Sequence, residues 1–187
     1  MKDKKTISST SLLVLIIIAF LFFGNNGNIS SQNDYESTDY STFQKAKVIR
    51  TVDGDTGVFE INGKKQKVRF TGINTPEYNL SEDIIEHYGK EAADYSKEIL
   101  EDRIVYLEKD ISDKDKYDRL LRYVWLDLPS DPGNPSIDDL ANKQLNGKLV
   151  KEGYAYAGNY KPDVKYKKVF DQFQKEAKDK KIGMWAD

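Results

Sequence analysis

The chain has 187 residues, 32% of them charged and 39% hydrophobic, which is room for one globular domain and a tail. Its formal charge of -2 provides no global cationic field, so a polyanion would have to be held by a local patch. Cysteine is absent and His87 is the only histidine. That excludes disulfides, thiolate nucleophiles, cysteine-bound zinc and a lipobox anchor, and it argues against a Ser-His triad or a multi-histidine metal centre. Acid–base chemistry falls to carboxylates, lysine or tyrosine.

In chain order, the basic leader "MKDKK" precedes the apolar run Leu12 to Phe23. Its 12 residues match the ~7–15 of a secretory core and fall short of the ~17–25 that span a bilayer comfortably. "GNNGNISSQND" follows without a small-x-small cleavage site, so residues 1–24 read as a signal peptide or a retained signal anchor. The protein is expected to be secreted or anchored on the outer face of the cell membrane. Residues 25–44, rich in Asn, Ser, Thr and Asp, read as a disordered linker, and the folded domain is expected over 45–187.

"AKVIRTV" and "TGVFEI" are strand-like, and Asn62-Gly63 is a strong hairpin signal before the third strand, "KQKVRFTGI". There Val68 and Phe70 share one face and Arg69 points to the other. "YGKEAADYSKEILED" has helical spacing with Ala92, Tyr95 and Ile99 on a stripe, and "RIVYLEK" and "RLLRYVWLD" read as two more strands. After the Pro/Gly loop from Leu128 to Ser136, Ser136 and Asp139 form a capping box. The helix it opens carries Ile137, Leu140, Ala141, Leu145 and Leu149 and stops at Gly153. A last helix is expected over about Val164 to Lys181, with Trp185 as a plug closing it. Five strands and three helices imply α+β: a small closed barrel with helices packed on it.

Three polar stretches could carry chemistry, although each alone also reads as ordinary turn or loop sequence. They are "VDGDT" (Val52 to Thr56), "GINTPE" (Gly72 to Glu77) and "DKYDRLLRY" (Asp115 to Tyr123). With the strand arginine Arg69, the "YGKEA" helix opening, "LVKEG", "YKP" and the terminal tryptophan, their order resembles the staphylococcal nuclease (thermonuclease) family from about Lys45 to Trp185. The resemblance implies a five-stranded OB-fold barrel with three helices. It also implies calcium-dependent endonucleolytic hydrolysis of DNA and RNA with low sequence specificity, by a monomer with no obligate protein partner.

The same resemblance implies residue roles. Asp55, Asn74 and the Thr75 carbonyl would hold Ca2+, a hard cation that takes ~6–8 oxygen ligands. Glu77 would assist the attacking water as general base. Arg69 and Arg119, two of only five arginines beside 24 lysines, would grip the phosphate through planar, always-charged guanidinium groups. Lys116 and Tyr117 would touch a neighbouring phosphate, and Tyr160 a base; a second pocket tyrosine is either Tyr156 or absent, since "YAYAGN" is a residue short of the pattern. Asn74 stands where the best-known family member has an aspartate, which implies calcium binding that is weaker but not abolished. The domain's 26 basic residues stand against 27 acidic ones, so capture is expected from a patch of Lys67, Arg69, Lys116 and Arg119. The alternative is a catalytically silent OB-fold module that binds nucleic acid or protein. That module would be expected to have lost Glu77 or an arginine, and none is lost.

Overall fold

The computed structural model describes residues 38–186, so the expected export segment and most of the linker lie outside the described residues. Three long strands come first: β1 (Phe43–Thr51), β2 (Thr56–Ile61) and β3 (Lys64–Phe70). The two-residue strands β4 (Ile73–Asn74), β5 (Tyr78–Asn79) and β6 (Ile84–Ile85) lead to helix α1 (Gly89–Leu100). Strands β7 (Ile104–Glu108) and β8 (Leu120–Trp125) precede α2 (Ile137–Asn142) and α3 (Leu145–Lys151). Strand β9 (Tyr156–Ala157), helix α4 (Lys167–Asp179) and a 3-10 turn at Gly183–Trp185 complete the order.

β1, β2, β3, β8 and β7 close into a barrel in that order, antiparallel except where β3 and β8 run parallel. This is the expected α+β fold, a five-stranded OB-fold barrel with helices packed on it. Alternation along the strands fills its interior: Phe59, Val68, Phe70, Leu107 and Val124 are all buried. The Asn62-Gly63 turn has both residues at positive φ, 50° and 74°, as a two-residue hairpin turn requires. β1 begins at Phe43, within the stretch expected as linker, because the Phe43 ring packs edge-on against Trp125 at 5.7 Å.

Two expectations need correction. The single helix expected after Ser136 is two helices, α2 and α3. Gln144 between them is extended (φ -103°, ψ 119°) and bridges to Trp125, and the Leu126 N–H donates to the Lys143 carbonyl at 2.7 Å. Pairing with the barrel strand there outweighs helical periodicity, and Ile137 is left 52% exposed. The plug at the chain's end is Met184, which is buried, whereas Trp185 is half-buried against the edge of Tyr156.

The Ser136–Asp139 capping box is present. Asp139 also accepts from the Ser130 N–H (3.3 Å) and pairs with Lys143 (2.6 Å), so one buried carboxylate ties the Pro/Gly loop to α2. Tyr40 donates to the Pro129 carbonyl at 3.0 Å from the other side. Among the described residues no helix is long and apolar enough to cross a membrane.

Candidate active site

Three chain segments meet at the end of β3. The β1–β2 turn presents Asp55, whose carboxylate accepts the Thr75 N–H at 2.9 Å and pairs with Arg69 at 2.8 Å. The same Arg69 Nη2 donates to Asn74 Oδ1 at 2.9 Å, and Nη1 donates to the Phe70 carbonyl at 2.7 Å. Asn74 Nδ2 in turn donates to the Thr75 carbonyl at 3.2 Å. Two side-chain oxygens, from Asp55 and Asn74, thus converge on one cationic nitrogen. Burial pushes the Asp55 carboxyl up to about 6; Arg69 opposes this shift and the neighbouring carboxylate Asp53 adds to it.

The turn and Thr75 can approach this closely because residue 54 is glycine. A Cβ at Gly54 would lie 2.7–2.9 Å from three Thr75 side-chain atoms. Helix α1 braces both sides of the site. Ser96, fully buried, donates to the Gly54 carbonyl at 2.6 Å, and Gly89 opens the helix directly against the backbone of Glu77. The Glu77 N–H donates to Glu86 Oε2 and its carbonyl accepts the Glu86 N–H, both at 2.9 Å, so the β5–β6 hairpin clamps that residue's backbone. Its side chain faces solvent. Partial burial, Asp53 and Glu86 raise the Glu77 pKa, against the pull of Arg69 and Arg119.

The second arginine stands on the β7–β8 loop. Asp115 accepts the N–H groups of Tyr117 (2.9 Å) and Arg119 (3.0 Å) through Oδ1 and pairs with Arg119 Nε through Oδ2 at 2.7 Å. Lys116 Nζ and the Arg119 guanidinium lie 4.9 and 5.5 Å from the Tyr117 ring centre. Buried Asp163 accepts the N–H groups of Ile111 (3.0 Å) and Ser112 (2.7 Å), which sets the turn bearing Tyr160 against the same loop. A groove of about 420 Å³ runs between these elements. Arg69, Asn74, Lys116, Tyr117, Arg119 and Tyr160 all line it.

Residues 67–187, which include Arg69, Asn74 to Glu77 and Arg119, match the model of the staphylococcal nuclease homologue family. The chain belongs to that family. It is 35% identical to Thermonuclease of Staphylococcus hyicus over 173 residues, 92% of each chain. To Thermonuclease of Staphylococcus intermedius it is 34% identical over 185 residues, 97% of this chain and 98% of the relative. To Endonuclease YncB of Bacillus subtilis it is 33% identical over 87% of this chain and 78% of the relative.

Of the nine residues singled out in this nuclease homologue, six line the groove. Asp55 and Thr75 are buried, with Asp55 on Arg69 and on the Thr75 N–H. Glu77 does not line the groove; its side chain is exposed, and partial burial of its carboxyl, Asp53 and Glu86 outweigh the opposing charges of Arg69 and Arg119. Tyr156 does not line the groove; its ring packs on Trp185 at 5.3 Å. Lys67 lines a neighbouring depression. The sequence reading missed the supports: Asp53, Asp115, Asp163, and the small residues Gly89 and Ser96 of α1. Asp53, Asp115 and Gly89 lie inside "VDGDT", "DKYDRLLRY" and "YGKEA", whereas Ser96 carried no signal beyond its small size within a helix.

Proposed function

We propose that this nuclease uses calcium to hydrolyse the phosphodiester bonds of DNA and RNA with low sequence specificity, as a monomer. The observation that carries the proposal is the meeting of Asp55 and Asn74 oxygens on a single cationic nitrogen, at a groove that also presents Arg119, Lys116 and Tyr117. An all-oxygen donor set that already converges on a positive group fits a hard cation. Asp55, Asn74 and the Thr75 carbonyl would hold the ion, and Arg69 would then turn from Asp55 toward substrate. Bound calcium supplies positive charge beside the scissile phosphate.

The chain's own groups supply the rest. Arg69 and Arg119 bind the non-bridging oxygens and stabilise charge that grows on them as the phosphorus becomes five-coordinate. Glu77, solvent-accessible and with its pKa raised, takes a proton from the attacking water as the new P–O bond forms, and the ester P–O bond breaks with the leaving oxygen taking a proton from solvent. Lys116 and Tyr117 hold an adjoining phosphate, and Tyr160, 45% exposed at the groove's far wall, offers a face to a base. Export is part of the same proposal, on the strength of "MKDKK" and the run Leu12 to Phe23, which leaves the domain secreted or anchored outside the cell.

The test is incubation with single-stranded DNA, duplex DNA and RNA, with calcium or with chelator. Wild type should cut only with calcium. Glu77→Gln and Arg119→Ala should each lose on the order of 10²–10³ in kcat. Absence of calcium-dependent cleavage of all three substrates refutes the proposal, and retained binding would then favour the silent module.

A further inference from the structure

The groove that holds Arg69 and Arg119 has a continuation beyond Tyr117. A second depression, of about 240 Å³, is lined by Lys65, Gln66, Lys67, Lys114, Tyr117 and Asp118, and Tyr117 is common to both. Lys65, Lys67 and Arg69 occupy alternate positions of β3 and share its outward face, while Val68 and Phe70 between and beyond them are buried. Successive groups on that face are spaced by about 6.6 Å along the strand. The ridge therefore places a phosphate-gripping arginine at the cleft and two exposed ammonium groups in line behind it. Lys114 completes the depression from the β7–β8 loop, where it pairs with Asp118 at 2.7 Å. Glu60 stands opposite Lys65 on β2.

We infer that the Lys65–Lys67–Lys114 depression is a further subsite that holds the phosphates of the substrate strand after it leaves the cleft past Tyr117. The inference rests on the nuclease reading of the neighbouring groove. A polyanion with charges repeated along an extended chain matches a row of lysines in line with Arg69. Tyr117, 67% exposed and flanked by Lys116 and Arg119, offers a stacking face where the strand crosses from one depression to the next. Two carboxylates oppose capture: Glu60, exposed on the same face opposite Lys65, and Asp118, which neutralises Lys114 and lies in the subsite with a left-handed backbone (φ 64°). Substrates long enough to reach the ridge are bound more tightly, and with steeper salt dependence, than those that fill only the cleft.

The experiment measures binding of fluorescent single strands in the Glu77→Gln background, which separates it from turnover. Salt is varied from about 50 to about 200 mM with a short oligonucleotide and with one several times longer. Each lysine–phosphate contact adds ~0.7 to the logarithmic salt slope for a single strand, so Lys65→Gln with Lys67→Gln should lower the long-strand slope by about 1.4. Over that range the double variant should lose about sevenfold less affinity than its parent. Asp118→Asn, which keeps a residue tolerant of positive φ, should shift long-strand affinity the opposite way. Equal slopes for parent and double variant, or equal losses on short and long strands, overturn the subsite whatever the cleavage assay returns. Failure of wild type to cleave, with the slope change intact, would overturn the catalytic proposal and leave the subsite standing.

Discussion

Replacing Gly89 by alanine is expected to lower kcat by roughly two orders of magnitude while leaving the nuclease folded. A Cβ there would lie 2.4 Å from the Glu77 carbonyl oxygen, 2.9 Å from its carbonyl carbon and 3.2 Å from the Pro76 oxygen. Ordinary contact begins near 3.4 Å, so the helix start or the Glu77 backbone must yield by about 1 Å. Helix α1 is the stiffer partner, because Ala92, Ser96 and Leu100 are fully buried and Ser96 is tied to Gly54. The other clamp on Glu77 is the short β5–β6 hairpin, whose second strand is exposed and can move with it, so the displacement falls on the proposed base. A misplacement of about 1 Å at a reacting group costs on the order of 10²-fold in rate. Overpacking costs about 1–3 kcal/mol, and each kcal/mol lowers Tm by about 2–4 °C in a chain of this size. Steady-state kinetics on single-stranded DNA with thermal melting of the same sample separates the two effects. A variant with lowered Tm and wild-type kcat would show that the strain is absorbed elsewhere and would refute the reasoning.

Asn74→Asp adds a negative charge to the oxygen cluster and removes the amide that donates to the Thr75 carbonyl, so half-maximal activity should need roughly tenfold less calcium; an unchanged calcium titration rules this out. Asp115→Asn breaks the ion pair that orients Arg119 and should lower kcat by about tenfold or more, with melting little affected at this partly exposed pair. Retention of full kcat would mean that Arg119 is aimed by other contacts. At Asp139, burial would raise the pKa, but the Lys143 ammonium and the hydrogen bonds from Ser136 and Ser130 outweigh it and hold the value at about 2. Its stabilising contribution is therefore complete above about pH 4 and is lost as pH falls through about 2. Asp139→Asn should flatten the fall of Tm across that window, and a fall as steep as wild type's counts against the assignment. Ser136→Ala removes the cap and should cost about 1 kcal/mol, read as a Tm lower by a few degrees.

Much of this protein is legible in local chemistry. The five barrel strands follow from period-two alternation, the β2–β3 hairpin from Asn62-Gly63, and the start of α2 from Ser136 and Asp139, because each depends on residues within a few positions of one another. The site motifs were legible for the same reason: Asp55 lies in a short acidic turn, Asn74 to Glu77 in a strand end stopped by Pro76, and Arg119 closes a loop whose conformation Asp115 sets four residues away.

Only the tertiary structure decided how these pieces support one another. Gln144 has no local reason to leave a helix, and it does so because the end of β8 offers a pairing partner. Gly89 stands in the "YGKEA" helix opening and Ser96 reads as an unremarkable helical residue, yet only the fold shows that their small size lets α1 rest on the backbones of Glu77 and Gly54. Lys65 and Lys67 share a strand face by the local period of two, but Lys114 joins them only when β3 and the β7–β8 loop meet beside Tyr117. Propensity and side-chain charge act over a few residues and are written in order along the chain. Close approach and shared grooves depend on distances that exist only after the barrel has closed.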